Sequence, residues 1–542
     1  MARGRPRRRA RVKARAKAQP KTQPKAHRKL TGGTEAVPPD TALTLSFYLR
    51  HRRKVRRRPG SVADLAELMR RVTPEQLKAE RERLLARPVE QIAAFARRSG
   101  MQVLDTDYLR RCVTLRATAA DVERAFATRL LRSEDASHYP ARAPKLPKPL
   151  ANLVHGVVGL DTRPPDAGRL RAHAVAANGP GLLPSEIAKL YGIATGGLGD
   201  GQCIAVIEPS GGYDPADVAT ACAAMNVPVP KLIDINVGGG ANRPGVDPRA
   251  DQEVALDIQV IAGIAPKATI AVYFTDLNEP GLVAGLTEAV HGTKARPNVI
   301  VVTWGEPEEF WPPEVRPSFD AVLHDAMRLG ITVVATAGDD LATERMNDGK
   351  VHVNYPGSSP YVLSCGGTEI TLTADRSAIA NEVAWNEGGQ RGTGGGISPT
   401  YAVPAFQTKA GLPGSRNDDK PGRGVPDVAA AAARTNGYRV FLGSNQIVGS
   451  GTSAVAPLWG AFIALINELI VRKSGGQPLG FVNPQLYQAP KLLKVITSGN
   501  NMDRFGLGYA ARNGWSACTG LGSPNGADIT ESLTEGVAAA VA

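Results

Sequence analysis

Towards the C-terminus the residues Gly449-Ser450-Gly451-Thr452-Ser453 run straight into the apolar stretch AVAPLWGAFIALIN. Glycines followed by a long apolar segment place the Ser453 hydroxyl at a predicted helix N-terminus, where unpaired backbone N–H groups and the helix dipole favour nearby negative charge. That position suits a nucleophile whose attack develops an oxyanion, although a serine that only caps the helix would look the same. A serine hydroxyl also needs a base. Of the eight histidines, His291 ends the helical pattern GLVAGLTEAVHG and leads into a loop, and the other seven have no suggestive neighbours. Carboxylates are the better candidates. Glu253 and Asp257 in DQEVALDIQVIAGIAP stand four apart and so share one helix face. Val254, Leu256, Ile258 and Ile261 make this helix too apolar to be solvated all round. Two carboxyls on a partly buried face share a proton and titrate together, which gives a base that works in acid. A third carboxyl, Asp339, ends the strand pattern ITVVATAGDD after Gly338. Taken alone, it is equally a turn residue.

These residues need a frame. CIAVIE, KLIDIN, TIAVYF, VIVVTWG and ITVVATAG are short Val/Ile-rich runs bounded by turn signals, and helical patterns separate them. Apolar strands alternating with helices predict a parallel sheet covered on both faces, with chemistry at the carboxyl ends of the strands. Upstream, TLSFYLR alternates like a strand, Ser61 and Thr73 are placed to cap helices, and a further helix opens at Thr118. This β-α-α-β-β-α-like order over about 90 residues predicts a separate α+β module.

Length and charge bound the rest. At about 150 residues per domain, 542 residues predict two to four domains. Residues 1–173 hold 40 Lys/Arg against 16 Asp/Glu, and residues 174–542 hold 25 against 35, so a basic portion of +24 precedes an acidic body of −10. An acidic body argues against specific nucleic-acid binding. The five cysteines lie far apart, which excludes a zinc ribbon and a redox CxxC pair. The apolar stretch Ala454–Val471 contains Pro457, Asn467 and Glu468 and is short for a membrane span, so a buried helix is expected. The basic N-terminus has no apolar core of the kind a secretory signal carries.

Glu253-x-x-x-Asp257, TWG, Gly338-Asp339 and Gly451-Thr452-Ser453, in this order, resemble the sedolisins, the serine-carboxyl peptidases. IEPSGGYD, AWNEGGQRGTGGGIS, VPAFQ, VPDVAA and GWSACTGLGSPNG extend the resemblance over about 180–530. The upstream module, with FYLR and GVVGLDTRP, is similar to the activation domain of kumamolisin-like members. The resemblance implies an α/β fold: a subtilisin-like parallel sheet with helices on both faces, preceded by an α+β ferredoxin-like prodomain. It implies Ser453 as nucleophile, Glu253 as general base and then acid, Asp257 as its orienting partner and Asp339 as oxyanion donor. Glu208 in AVIEPSGG and Trp304 in TWG would extend the hydrogen-bond network. The usual GDSG reads GDDL here, so Asp340 adds a charge beside Asp339.

The expected layout is a disordered basic tail over 1–40, an activation prodomain over 41–162, a linker and processing region over 163–181, and the peptidase domain over 182–542. The expected function is an acid-active endopeptidase made as a zymogen and inhibited by its own prodomain. The alternative is a weakly active or inactive binding protein on the same fold. Peptides or proteins are the expected partners; the chain is expected to be an extracellular monomer with no membrane span and no specific nucleic acid. Sedolisins hold a calcium ion near the C-terminus with two aspartates, and the matching positions are Val495 and Ser516. Carbonyls near Ile496, Arg512 and Gly514 remain available, and Asp503 lies in the intervening loop. The expectation is that no metal or other cofactor binds, and that Val495 and Trp515 hold this loop by apolar contacts.

Overall fold

The computed structural model describes residues 35–50, 70–133, 137–163, 181–193, 196–312 and 315–541. The predicted cap at Ser61, most of the linker and residues 1–34 of the basic tail lie outside the described residues.

The upstream module is built on β1 (Ala42–Leu49), α1 (Pro74–Arg98), β2 (Gln102–Asp107), β3 (Cys112–Thr118), α2 (Ala119–Phe126) and β4 (Val154–Val158). Its sheet has the order β2-β3-β1-β4 and is antiparallel throughout, the ferredoxin-like arrangement. Thr73 caps α1 as its sequence context predicts: its hydroxyl accepts from Gln76 N–H at 3.2 Å and its own N–H donates to Gln76 Oε1 at 3.0 Å. Thr118 caps α2 in the same way. Leu43, Leu45 and Phe47 point from β1 into a core with Ile92, Phe95, Leu115 and Phe126. The tail assigned to residues 1–40 ends sooner than expected. Val37 is buried and its N–H donates to Leu130 O at 3.0 Å, because an apolar side chain next to an unfilled strand edge gains by packing there.

The larger domain is wound around one sheet. Its elements are β5 (Cys203–Glu208), β6 (Leu232–Asn236), α3 (Pro248–Ile264), β7 (Thr269–Phe274), α4 (Glu279–His291), β8 (Val299–Val302), β9 (Glu306–Pro307), α5 (Arg316–Arg328), β10 (Thr332–Thr336), β11 (Asn354–Tyr355), β12 (Leu363–Leu372), β13 (Ile379–Ala384), β14 (Val428–Ala431) and α6 (Thr452–Ser474). The strand order is β13-β12-β10-β8-β5-β7-β6, with β14 also on β12. All pairs are parallel except β12 with β13. Successive strand residues face opposite sides. Val299 and Val301 meet α3 and α6, whereas Ile300 and Val302 meet α4 and α5. Both faces are covered, which is why these strands read as unbroken apolar runs.

Helix α6 is apolar for the same reason. Its most apolar window is 94% buried, so it is the central helix of the core.

The upstream module docks on α4 and α5. Tyr48, Cys112 and Val158 join the apolar cluster formed by Leu282, Val283, Leu286 and Phe319. Around this seam Arg110 pairs with Glu288 at 2.6 Å and Arg328 with Glu80 at 2.7 Å. At its centre Asp325 is fully buried and takes Arg81, Arg111 at 3.2 Å and His291 Nε2 at 3.1 Å.

Candidate active site

The turn before α6 starts with a backbone that only glycine tolerates. Gly451 has φ +115° and ψ 167°, and its N–H donates to Ala432 O at 2.7 Å. Ser453 is then the second residue of α6, and the N-cap position is Gly451, which has no side chain to cap the helix. The Ser453 hydroxyl is therefore not spent on the helix: it is fully buried and makes no hydrogen bond among the described residues.

Asp339 reaches the same turn from the end of β10. Gly338, with φ +98°, bends the chain so that Asp339 Oδ1 accepts from both the N–H and the hydroxyl of Thr452, each at 2.7 Å. Its other oxygen, Oδ2, has no partner among the described residues. Burial raises the Asp339 pKa to about 6, against the opposing pull of the Arg391 charge and the Thr452 hydrogen bonds. Arg391 donates to Ser450 Oγ at 2.8 Å and lies over the Trp385 ring. Asp340, which the sequence marks as a disturbing neighbour, is engaged by Arg345 at 2.7 Å.

The other carboxyls gather beneath α3. Glu253, Asp257 and Glu208 are all inaccessible to solvent. Asp257 Oδ2 accepts from Thr303 Oγ1 at 2.9 Å, and Glu208 Oε2 from Trp304 Nε1 at 2.9 Å. Their second oxygens, Glu208 Oε1 and Asp257 Oδ1, are buried with no hydrogen-bond partner among the described residues. Both groups are pushed well above the ordinary carboxyl range. Burial is the largest cause; for Glu208 the charge of Glu253 follows, and for Asp257 the charges of Glu208 and then Glu253. Three carboxyls so placed cannot all ionise, so they hold at least one proton among them.

Packing joins the two groups. Helix α6 lies directly against α3, and the turn before Ser453 is so close that a Cβ on Gly449 would stand 2.8 Å from Leu256 Cδ1. Ser453 and Asp339 thus meet at the start of α6, Glu253 and Asp257 lie on α3, which packs against α6, and Glu208 is bonded to Trp304. His291 is elsewhere, in the seam with the upstream module. Sequence reasoning missed Thr303, Thr452 and Arg391. All three sit inside motifs already marked: TWG, GTS and, for Arg391, AWNEGGQRGTGGGIS.

The residues that would have to form the family calcium site do not suit a hard cation, which needs six to eight oxygens with carboxylate charge among them. Val495 offers no side-chain oxygen, and the Ser516 hydroxyl is hydrogen-bonded to Thr519 Oγ1 at 3.0 Å. Asp503 Oδ1 is tied into its own turn by the N–H groups of Phe505 and Leu507, each at 2.9 Å. Arg512 brings its guanidinium here, with Nε donating to Trp515 O at 2.9 Å.

Residues 33–163 match the family described as Pro-kumamolisin, activation domain, and residues 235–476 match the Subtilase family. Kumamolisin from Bacillus sp. (strain MN-32) is 40% identical over 405 residues, covering 72% of this chain and 72% of that protein. Tripeptidyl-peptidase sed5 from Aspergillus fumigatus is 29% identical over 510 residues, covering 82% of this chain and 84% of its own. Among solved structures, Pseudomonas sedolisin (serine-carboxyl proteinase) complexed with two molecules of pseudo-iodotyrostatin matches with a TM-score of 0.58 at 26% identity. That match spans 66% of this chain and 99% of the other.

Proposed function

The chain belongs to the sedolisin family, as a kumamolisin-like serine-type peptidase with an activation domain, and from that premise we propose that it cleaves peptide bonds in acid after release from its own prodomain. Ser453 Oγ attacks the scissile carbonyl while Glu253 takes the hydroxyl proton. The carbonyl oxygen becomes an oxyanion and accepts a hydrogen bond from protonated Asp339. Glu253 then gives its proton to the leaving amine, the C–N bond breaks, and an acyl-serine remains. Water, activated by the same carboxylate, attacks that ester; the C–O bond to Ser453 breaks and the serine regains its proton. Asp257 and Glu208, steadied by Thr303 and Trp304, share the proton that keeps Glu253 usable as a base.

One observation carries this reading. Asp339, with a pKa near 6, is tethered through Oδ1 to the residue before Ser453 and keeps Oδ2 for a developing charge. The filled catalytic positions favour this over an inactive binding protein on the same fold. Processing within 163–181, export and endopeptidase action belong to the same proposal.

Ser453→Ala is the direct test. Because Ser453 caps nothing, the melting temperature should hardly move, while turnover of a protein substrate at pH 4 falls by several orders of magnitude. Proteolysis persisting in the purified variant removes the assignment. We also propose that no calcium binds at the C-terminal loop. Melting curves with excess calcium and with chelator should coincide; a calcium-dependent rise of several degrees would overturn that.

A further inference from the structure

The hairpin that follows β13 puts a charged side chain between the oxyanion donor and the nucleophile. Asn386 pairs with Gly392 and Gly388 with Arg391, and the returning strand then runs along the residues past the end of β10. Gly392 N–H donates to Asp339 O at 2.9 Å, Leu341 N–H to Gly392 O at 3.1 Å, and Gly394 N–H to Gly338 O at 2.8 Å. The approach is close: a Cβ on Gly392 would stand 2.4 Å from Leu341 Cδ2. The backbone of Arg391 is thus fixed beside Asp339, while its side chain reaches the turn before α6. There Nη2 donates to Ser450 Oγ at 2.8 Å, three residues ahead of Ser453.

Arg391 is buried, and a buried guanidinium is costly unless its charge is matched. The match is incomplete. Glu387 Oε2 lies 3.5 Å from Arg391 Nε, which makes no hydrogen bond among the described residues, and Glu387 also faces Arg434 at 3.8 Å. The guanidinium carbon stands 5.3 Å from the centroid of the Trp385 ring. Other charges near Asp339 have partners of their own. Asp340 pairs with Arg345 at 2.7 Å, and Glu344, which lies against Gly338, accepts from Asn354 Nδ2 at 3.2 Å. The first turn of α6 carries no charged side chain and gives Asp339 only the N–H and hydroxyl of Thr452. Among its charged neighbours, Arg391 acts most strongly on Asp339, lowering its pKa against the larger effect of burial, and Glu387 acts the other way.

We propose, resting on the peptidase reading above, that Arg391 is a positioning residue for the reaction: it ties the turn that carries the nucleophile to the strand end that carries the oxyanion donor, and it is the positive charge that faces that donor. It acts through Ser450 and Asp339 and touches no reacting atom itself. A positive charge favours the ionised carboxyl, so without Arg391 the donor keeps its proton to higher pH and the alkaline limb of activity moves up. Without Glu387 the arginine is less opposed and the limb moves down. Lysine at this position would carry the charge but lack the planar fork, and methionine would carry neither.

The test is the pH dependence of kcat and kcat/KM on an internally quenched peptide, for the wild type, Arg391→Met, Arg391→Lys and Glu387→Gln. Each is made as the full chain and freed of its prodomain in acid. Arg391→Met should lower kcat about ten- to hundredfold and move the alkaline limb up by about one pH unit. Arg391→Lys should keep the limb near that of the wild type and recover only part of kcat, and Glu387→Gln should move the limb down. An arginine that only stabilises the fold would leave the limb in place. A limb that stays put in both Arg391→Met and Glu387→Gln therefore overturns the proposal, as does one that moves the same way in both, or a lysine variant that shifts like the methionine one. If Arg391→Met yields no active enzyme, Glu387→Gln decides alone, and a limb that fails to move down is the overturning result. If the wild type freed of its prodomain cuts no peptide in acid, the peptidase reading itself fails and this inference falls with it.

Discussion

Burial keeps Asp339 neutral in acid, and in the mechanism proposed above that one proton governs whether it can donate to an oxyanion. Its pKa of about 6 places the alkaline limb of activity: the rate should fall as pH rises through about 6. Asp339→Asn offers a donor that does not titrate. We expect this variant to keep measurable activity and to lose the limb near 6, whereas Asp339→Ala should lose about 100–1,000-fold in kcat. A pH–rate profile decides it; a limb that stays near 6 in the asparagine variant means another group controls it. The same proton bears on stability. A carboxyl whose folded pKa lies above its ordinary 3.8 favours the folded state at low pH, and that contribution is lost as pH rises through about 6.

At the scale of the element, the decisive feature is the start of α6. A helix that is buried all round cannot shift to relieve a bad turn, so the turn must be right. Gly451 holds φ +115° and ψ 167°, a combination other residues do not adopt without strain. Gly451→Ala should therefore cost about 1–3 kcal/mol of stability and displace Ser453 against Thr452 and Asp339. Circular dichroism melting together with the turnover assay tests both parts. A variant that melts as the wild type and cleaves as fast would show that the turn has slack which the φ angle denies. In β8 and β10 the demand differs: every residue is buried because helices cover both faces, and only the residues past the strand ends reach the site.

The whole molecule is organised around the seam between the activation domain and α4 and α5. Burial works against ionisation of Asp325, yet Arg111 and Arg81 hold its carboxyl well below the usual range, so it stays charged through the acid range. The groups that change are histidines. His155 on β4 and His324 on α5 are pushed down to about 4, chiefly by burial, and burial lowers His291 on α4 as well. Arg50, Arg81, Arg111 and Arg328 surround them, with Asp325 as the counter-charge. A histidine with a lowered folded pKa stabilises the docked state above its ordinary 6.5, and that contribution is lost as pH falls through about 4. Docking should weaken over that window. In the full chain carrying Ser453→Ala, which on the proposed mechanism cannot cut itself, amide exchange in α4 and α5, taken relative to the intrinsic rate at each pH, should be slow at pH 7 and fast at pH 4. Adding Asp325→Asn strands two buried arginines at a cost of about 3–5 kcal/mol and should speed that exchange already at pH 7. Equal protection in all these samples would mean that the seam is held by its apolar contacts alone.

Much of this was legible in the chain itself. Unbroken Val/Ile runs between helical periods can only be strands covered on both faces. The i,i+4 spacing of Glu253 and Asp257 set both on one helix face, and glycines before a long apolar run put Ser453 at a helix start. These are local patterns, and hydrophobic period and backbone freedom act over a few residues. What the tertiary structure decided was which buried polar groups meet across long separations. Thr303 reaches Asp257, Thr452 reaches Asp339, Asn354 reaches Glu344, and His291 lies under the activation domain. Of the two residues expected to hold the C-terminal loop by apolar contacts, Trp515 lies in the main core cluster and Val495 in none among the described residues, and polar bonds also act there, from Arg512 to Trp515 O and from Trp515 Nε1 to Pro426 O at 3.0 Å. No periodicity encodes such pairings: they follow from the order in which strands are laid into the sheet, and each buried donor or acceptor bonds to whatever that order brings within reach.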